Sequence, residues 1–348
     1  IDAGPARVIA KEELLTYMAA FREEMISFME EEQTAYHLIH ANFFMSALVA
    51  MELKQLLGIP FVVTFHALGH VRKIYQGNQD RFPPERIDIE TEVILQANQI
   101  IAECPQDKED LINYYQAPVH KITIIPCGVN LDEVYAVDKE KAREILHLPK
   151  NEKIILQLGR MVPRKGVDNV IRAMAHLKMP DVKLIVVGSN VPASSREVDH
   201  ELERLRTLAH ELGLSAQVIF AGQRSRHELK HYYSAADLFI TTPWYEPFGI
   251  TPLESMACGT PVIGSDVGGI KYSVADGRTG LLVPPEDPVS LAAAIFKLLQ
   301  DDSLRQEMGS NAIKRIHALF TWECVARKMK YLYQQVINEA YYEKSHIY

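Results

Sequence analysis

The chain of 348 residues has few cysteines, no long apolar run and no excess of positive charge. Its four cysteines are scattered and form no CxxC pair, which argues against a disulfide framework or a zinc site and favours reduced thiols in the cytoplasm. No stretch approaches the roughly 20 apolar residues that a membrane-crossing helix needs. The net charge of −8 argues against a general nucleic-acid or anionic-membrane surface. Together with 47% apolar residues, these absences indicate a soluble cytoplasmic enzyme, and the length predicts two domains.

Three familiar ligand-binding motifs are also missing or incomplete. No GxGxxG follows any apolar run, which disfavours a dinucleotide dehydrogenase. The basic turn at residues 159–166 is not a P-loop, because its lysine precedes the final glycine and no GK[ST] follows. Residues 227–231 read HELKH and match the zinc-protease pattern, but no third ligand is placed nearby, so we expect no metal there.

The sequence does contain a long alternation of short apolar runs with helical patterns. The runs are YHLIHA, PFVVTFH, QIIAEC and ITIIPCG, followed later by KIILQLG, KLIVVG, QVIFAG, DLFITT, TPVIGS and GLLVPP. Helical patterns in the first part cover residues 11–31, 43–57, 86–97 and 105–115. This alternation predicts parallel sheets flanked by helices, arranged as two doubly wound domains in series.

A polar stretch at residues 128–152 breaks the strand rhythm and predicts the domain boundary. We therefore predict a first domain over residues 1–145 and a second over residues 146–322. A terminal helix over residues 323–348 is expected to pack back towards the first domain. The cleft between the domains, at the carboxyl ends of the strands, is the expected ligand site.

A basic turn follows the first apolar run of the second domain. It carries Arg160, Arg164 and Lys165, and a helical pattern opens near Gly166. Backbone N–H groups at a helix start, joined by cations, suit a phosphate or diphosphate. A solvated basic turn is the alternative, and the turn alone does not decide between the two.

Two glutamates occur in the stretch YEPFGITPLESMACGTPVIGSDVGG. Glu246 follows a strand pattern that ends at Thr242, and Glu254 belongs to a helical pattern that begins at Pro252. Residues 249–251 would therefore present free N–H groups at a helix start, which attract an anion. Carboxylates suit such a place if they bind neutral hydroxyls while the amides and cations bind phosphate. Hydroxyls together with a diphosphate describe a nucleotide sugar.

With these residues the chain resembles a known family. EPFGITPLE is the E-x7-E signature of the retaining glycosyltransferases of family 4, which have the GT-B fold. GRMVPRKG, IPCGVNLDEV and TPVIGSDVGGIKYSVADGRTGLLVPPEDPVSLAAAI extend the resemblance over most of the chain. AGP…KEEL and TFHALGHVRK are most similar to the branch with sucrose synthase, sucrose-phosphate synthase and the inositol-phosphate glycosyltransferases. The resemblance implies an α/β fold of GT-B architecture, with two Rossmann-like doubly wound domains facing a cleft.

The resemblance also implies roles for single residues. Arg160 and Lys165 would hold the donor diphosphate, and Glu254 the ribose hydroxyls. Glu246 would bind a hydroxyl of the donor sugar, which His66 would contact from the first, acceptor-side domain. The implied catalytic residues are His66, Arg160, Lys165 and Glu246. The implied donor-binding residues are Gly159, Gly222, Gln223, Arg224, Phe248, Gly249, Ile250, Thr251 and Glu254, with the base near Gly222–Arg224.

Acceptor binding is predicted from three basic residues of the first domain. Arg72, Lys73 and Arg86 lie where the branch that uses phosphorylated acceptors has basic residues that hold the acceptor phosphate. A solvated basic loop is an equally good interpretation of these residues.

The resulting prediction is a retaining hexosyltransferase that uses a nucleotide sugar, with UDP-glucose as the expected donor and a sugar, sugar phosphate or similar hydroxyl as the acceptor. No residue is a convincing covalent nucleophile, so a front-face reaction is expected. No DxD motif is present, residues 88–90 being a poor substitute, so we expect no metal and no cofactor. The alternatives are a phosphorylase of similar architecture and a non-catalytic sugar-nucleotide-binding subunit.

The start of the chain departs from the family. A complete member opens with a strand and a glycine-rich turn, whereas this chain begins with IDAGPARVI, past that point. We therefore expect the first domain to lack its opening strands and a preceding segment to be supplied in the full-length chain.

Overall fold

The computed structural model describes residues 1–189 and 199–345. The chain forms two compact units. The first unit consists of Ile1–Pro126 with Ala326–Tyr348, and the second of Cys127–Val325. Among the described residues, no helix is long and apolar enough to cross a membrane.

A parallel four-stranded sheet forms the centre of the first unit, in the order β1-β2-β3-β4. Its strands are β1 Ile39–Asn42, β2 Phe61–Thr64, β3 Gln99–Ala102 and β4 Ile122–Ile124. The helices of this part are α1 Met18–Glu32, α2 Phe44–Leu57, α3 Gly69–Gln76, α4 Arg86–Gln96 and α5 Pro105–Tyr115, with 3-10 turns at Lys11–Tyr17, Gly77–Gln79 and Val119–Lys121. Every residue of β2 is buried, as expected of an apolar strand covered on both faces.

A parallel six-stranded sheet forms the centre of the second unit, in the order β10-β9-β8-β5-β6-β7. Its strands are β5 Lys153–Leu158, β6 Val182–Val187, β7 Val218–Gly222, β8 Leu238–Thr241, β9 Val262–Ser265 and β10 Gly280–Val283. The helices are α6 Lys139–Ile145, α7 Val167–Leu177, α8 His200–Glu211, α9 Arg226–Ala235, α10 Ile250–Ala257, α11 Ile270–Ser273, α12 Pro288–Gln300 and α13 Asp302–Leu319, with a 3-10 turn at Pro163–Lys165. The predicted α/β fold with parallel sheets is confirmed.

The strand order of the second sheet reverses beside β5, which lies between β8 and β6. In open parallel sheets, ligands bind outside the carboxyl ends of the strands at such a switch point. The basic turn at residues 159–166 follows β5, and the loop with Glu246 follows β8. The topology therefore brings the predicted phosphate turn and the predicted sugar carboxylate to neighbouring strand ends.

The division between the units falls earlier than the sequence predicts. It follows Pro126, so α6 belongs to the second unit and not to a first domain of residues 1–145. The physical reason is a buried arginine on α6, because Arg143 Nη2 lies 2.9 Å from Asp237 Oδ2 of the second unit. The last helix, α14 Trp322–Ser345, belongs to the first unit from Ala326 on. There Tyr333 Oη lies 2.6 Å from His40 Nδ1.

Candidate functional site

The basic turn after β5 is fastened to the end of β8 by a glycine. Gly166 has a φ of 65°, and a Cβ at this position would lie 2.1 Å from the carbonyl oxygen of Thr242. The Thr242 hydroxyl donates to the Gly166 carbonyl at 3.1 Å. The backbone N–H of Trp244 donates to the Arg164 carbonyl at 3.0 Å. A larger residue than glycine would force the two turns apart.

The turn brings Lys165 into contact with Glu246. Lys165 Nζ donates a hydrogen bond to Glu246 Oε2, and Arg164 Nη1 lies 3.7 Å from the same oxygen. Both partners are largely buried, with 16% of the Lys165 side chain and 13% of the Glu246 side chain exposed. Two of the predicted catalytic residues thus form one ion pair at the switch point of the sheet.

A glycine pair holds the loop that carries Glu246. A Cβ on Gly268, whose φ is 47°, would lie 1.9 Å from the Glu246 carbonyl oxygen. A Cβ on Gly269 would lie 2.4 Å from Phe248 Cα. The Gly269 N–H also donates to the Pro247 carbonyl at 3.1 Å. These close approaches fix the loop backbone, and so the position of the Glu246 carboxylate, by excluding any side chain.

The first turn of α10 presents its backbone N–H groups beside this loop. Gly249 precedes the helix with a φ of 88°, and no side chain caps the N–H groups there. Ile250 is exposed, whereas Phe248 is buried and its ring packs 6.4 Å from the ring of Phe320. Phe248 can therefore meet a ligand only through its backbone. Uncapped N–H groups at a helix start are suited to an anion.

Glu254 lies in the interior of α10 and is nearly inaccessible. Its side chain accepts a hydrogen bond from Tyr233 Oη to Oε2 at 2.8 Å, and Arg226 Nη1 lies 3.9 Å from Oε1. Burial raises the pKa of the Glu254 carboxyl, while the Tyr233 hydroxyl and the Arg226 charge oppose that rise. Oε1 receives no hydrogen bond from the described residues, so it can accept one from a ligand.

The remaining predicted donor residues lie at neighbouring strand ends. Gly159 follows β5, and its carbonyl oxygen would be 1.9 Å from a Cβ on Gly188, which follows β6. Gly222 ends β7 with a φ of 75°. The predicted residues Arg160, Gln223 and Arg224 also lie on these turns and are exposed, whereas Thr251 lies in the first turn of α10 and is half-buried. The Arg160 guanidinium has no ion-pair or hydrogen-bond partner among the described residues.

His66 of the first unit stands just after β2 in a strained backbone conformation. Its φ is 60°, a region that residues other than glycine rarely adopt. Its Nδ1 lies 3.0 Å from Glu103 Oε1, and its Nε2 lies 2.9 Å from Asn42 Oδ1. Burial lowers the pKa of His66, but the hydrogen bond and charge of Glu103 and the charge of Asp107 outweigh it, so that the pKa is raised. Strain held at a strand end is typical of functional sites.

Two of the three predicted acceptor-binding residues are already paired. Arg72 lies on α3 and forms two hydrogen bonds with Asp80, at 2.9 and 3.3 Å. Arg86 is 2% exposed, and its Nε donates to Glu90 Oε1 at 2.7 Å. Lys73 is exposed and has no ion-pair partner among the residues that the structure describes. The interpretation as a solvated basic loop fits Lys73 only, because Arg72 and Arg86 are held by carboxylates.

Arg86 keeps one nitrogen unsatisfied. Its Nη2 donates to the Ala67 carbonyl, and the guanidinium lies 4.6 Å from the ring centre of Phe82. Nη1 is buried and has no hydrogen-bond partner within residues 1–189 and 199–345. Arg86 and Lys73 both line an open cavity of about 340 Å³. The two residues thus line one space in the first unit.

The HELKH segment lies in the first turns of α9. Glu228 accepts hydrogen bonds from the backbone and the side chain of Ser225, at 2.9 and 2.6 Å, and so caps the start of α9. The described part of the chain contains no group of three or more histidine, cysteine, aspartate or glutamate side chains placed to hold a metal ion. Glu228 is a capping residue in this structure.

Comparison with known proteins matches two family models. "Glycosyltransferase Family 4" covers residues 1–133, and "Glycosyl transferases group 1" covers residues 138–315. A D-inositol 3-phosphate glycosyltransferase of Corynebacterium jeikeium is 36% identical over 340 residues, which are 96% of this chain and 80% of the relative. The chain therefore belongs to the group 1 glycosyltransferases, with a family 4 domain over residues 1–133. The predicted family and the predicted class of enzyme are confirmed.

Solved glycosyltransferase structures share the fold of this chain. Sucrose-phosphate synthase from Thermosynechococcus elongatus superposes with a TM-score of 0.87 at 35% identity, over 97% of this chain and 82% of that one. HepE of Anabaena in complex with UDP superposes with a TM-score of 0.80 at 22% identity, over 91% of this chain and 82% of that one, and shares the fold. The expected missing amino-terminal segment has no support among these matches.

Sequence reasoning missed the residues that hold two of the candidate side chains. Tyr233 and Arg226 hold Glu254, and Asn42 and Glu103 hold His66. Gly268 stood in the quoted segment without an assigned role. The available signal was the position of Asn42 and Glu103 directly at the ends of β1 and β3, since parallel strands bring such ends together.

Proposed function

We propose that this glycosyltransferase moves a hexose from a nucleotide sugar to a hydroxyl of a phosphorylated sugar or inositol, with retention of configuration and without a metal ion. UDP-glucose is the proposed donor. The observation that carries the proposal is the Lys165–Glu246 ion pair at the switch point of the second sheet. A cation and a carboxylate at one strand end suit a ligand that combines phosphate with sugar hydroxyls.

In this proposal the donor is held by three kinds of group. Lys165 and Arg160, with the N–H groups at the start of α10, bind the diphosphate. Glu246 accepts a hydrogen bond from a hydroxyl of the hexose. Glu254 accepts one from the ribose through Oε1, while Tyr233 holds its other oxygen. In the first unit, His66 is the proposed contact of the transferred sugar.

The reaction breaks the bond between the anomeric carbon and the diphosphate oxygen. Negative charge then develops on the leaving diphosphate, where fixed cations and helix N–H groups stabilise it without reorganising. The acceptor oxygen forms its bond to the anomeric carbon on the same face, and its proton passes to the departing phosphate oxygen. These groups supply the charge stabilisation that a metal ion provides in other enzymes.

The acceptor phosphate is proposed to bind Lys73 and Arg86 Nη1 in the cavity of the first unit. Arg86 is an unusually rigid donor, because Glu90 and Phe82 fix its guanidinium. Two relatives support a phosphorylated acceptor, since one is named a D-inositol 3-phosphate glycosyltransferase and another a sucrose-phosphate synthase. Arg72 is assigned to holding the loop through Asp80.

The test is release of nucleoside diphosphate with a matrix of donors and acceptors in EDTA. We expect turnover with UDP-glucose and with a phosphorylated inositol or hexose, and much less with the same acceptors lacking phosphate. Lys73→Ala is expected to raise the KM for the acceptor and leave that for the donor unchanged. Turnover that requires magnesium would contradict the proposal and favour a metal-dependent transferase. Transfer from a sugar 1-phosphate to the acceptor, with release of free phosphate and without a nucleotide, would contradict it and favour a phosphorylase.

A further inference from the structure

A second cavity lies at the amino ends of the strands of the second sheet, opposite the carboxyl ends where Lys165 and Glu246 lie. It measures about 590 Å³ and is lined by residues at the amino ends of β5, β8 and β9, including Lys153, Asp237 and Pro261. The donor loop leaves the other end of β8. A strand of this length spans roughly 13 Å, so the cavity is separate from the donor site.

The wall of this cavity holds a buried carboxylate surrounded by cations. Asp237 is 5% exposed. Lys139 Nζ lies 2.5 Å from Oδ1, Arg143 Nη2 lies 2.9 Å from Oδ2, and Arg305 Nη2 lies 4.0 Å from Oδ1. One carboxylate therefore faces three positive charges.

The neighbouring carboxylate of Asp302 does not neutralise this surplus of positive charge. Asp302, which also accepts from Arg305, pairs with a fourth cation, Lys153, at 3.1 Å. The connected network thus contains four cations, Lys139, Arg143, Arg305 and Lys153, and two carboxylates. Burial, together with the charges of Arg143 and Arg305, lowers the pKa of Lys139 despite the attraction of Asp237. An anion entering the cavity would be stabilised by this surplus.

A further acid on the same wall offers a hydrogen-bond acceptor. Glu152 lines the cavity, and its Oε1 lies 3.6 Å from Lys183 Nζ. Its Oε2 is buried and receives no hydrogen bond from the described residues. Glu140 and Lys150 also line the cavity; both are exposed, and their charges offset one another. A buried acceptor without a partner is costly unless a ligand supplies a donor.

We propose that this cavity binds a small phosphorylated polyol. Its phosphate takes the surplus cations, foremost Lys139 and Lys153, and one of its hydroxyls donates to Glu152 Oε2. The surplus of cations requires an anionic group in the ligand, and the buried Glu152 Oε2 requires a hydroxyl donor. The site lies on the far side of the sheet from Lys165 and is distinct from the donor site.

The test is thermal unfolding with inorganic phosphate and with glucose 6-phosphate, at an ionic strength matched with sodium chloride. A ligand that binds the folded state raises the unfolding midpoint. We expect this rise in the unmodified protein, in Lys165→Ala and in the surface control Lys314→Gln. In Lys139→Gln the apparent Kd for phosphate should be roughly tenfold higher, the loss expected of one charge-assisted hydrogen bond. Lys139 is 42% exposed, so the variant should fold, and Lys153→Gln provides a second variant with the same expectation.

Three results would overturn the assignment. An equal rise in Lys139→Gln and Lys153→Gln would show that the phosphate binds elsewhere, and a rise lost in Lys165→Ala would place it in the donor site. No rise in the unmodified protein would show that the cavity takes no phosphate. The polyol part is tested by Glu152→Ala, in which glucose 6-phosphate should lose its advantage over phosphate. An advantage that persists in Glu152→Ala would contradict the hydroxyl contact.

Discussion

Asp237 and Glu246 lie beyond opposite ends of the same strand, β8, and each is a carboxylate held by lysine and arginine side chains. Asp237 is buried and also accepts a hydrogen bond from the backbone N–H of Ile154 at 2.7 Å. Glu246 is on a loop, and its carboxylate accepts no backbone hydrogen bond from the described residues. Both carboxylates thus have lysine and arginine partners, but only Asp237 is also held by a backbone hydrogen bond.

Under the proposed function, this difference separates a structural carboxylate from one that is available to a ligand. Asp237 is fixed by its own hydrogen bonds, so its charge is committed to holding α6 on the sheet. Glu246 is positioned by the close approach of Gly268, which fixes the loop backbone, and under the proposed function its carboxylate exchanges Lys165 for a substrate. Sites that bind ligands need such support from surrounding residues.

The largest effect on stability is expected from neutralising the structural carboxylate, Asp237. Asp237→Asn leaves Arg143 and Lys139 without their anion and should lower the free energy of unfolding by about 3–5 kcal/mol, as for other buried pairs that lose one partner. Denaturant unfolding measures it. Glu133→Gln is the matched control, because its partner Arg226 is 56% exposed, and it should leave the free energy of unfolding almost unchanged. Equal losses in both variants would contradict the distinction.

Gly268→Ala should damage activity. The added Cβ would collide with the Glu246 carbonyl oxygen and displace the loop, and a displacement of about 1 Å costs roughly 100-fold in rate. Steady-state kinetics measure the loss. Gly277→Ala is the control, because Gly277 has a φ of 69° and no atom within 4 Å of the added Cβ. If both variants lose activity equally, backbone strain and not the contact with Glu246 is responsible.

Tyr233→Phe tests the second glutamate. Loss of the hydrogen bond to Glu254 leaves a buried carboxylate with one partner fewer, which should raise its pKa further and weaken nucleotide binding roughly tenfold. Calorimetric titration with UDP measures the affinity, and Tyr232→Phe is the neighbouring control. Unchanged affinity in Tyr233→Phe would remove Glu254 from the proposed ribose contact.

The smallest effect concerns His66 of the first unit. Because Glu103 raises its pKa, its contribution to stability is complete below about pH 6.5, the ordinary value, and is lost as the pH rises through the raised pKa. NMR titration should show a His66 pKa above 6.5 in the unmodified protein and a lower one in Glu103→Gln. Glu109→Gln, an exposed glutamate on α5, should leave it unchanged. The same pKa in all three proteins would contradict the ion pair.

The strands could be predicted from the sequence because each is a short apolar run, and α5 matches its predicted bounds because Pro105 and the local pattern define them. The helix α3 was not predicted, since its Gly69 depends on a hydrogen bond from its N–H to Glu90, 21 residues away. The assignment of Lys165 and Glu246 to one site followed from strand ends and the family resemblance, whereas their direct ion pair was not predicted. The hydrogen-bond partners of Glu254 and His66 could not be predicted, because they are more than 20 residues away in the sequence and the tertiary fold brings them together.

Nucleotide binding to two variants tests the central claim, that Lys165 and Glu246 form the donor site, most directly. Calorimetric titration with UDP and UDP-glucose should show that Lys165→Ala loses affinity for both, because both carry the diphosphate. Glu246→Gln should lose affinity for UDP-glucose and keep most of that for UDP, because Glu246 is assigned to the sugar. Full affinity for both ligands in both variants would contradict the account.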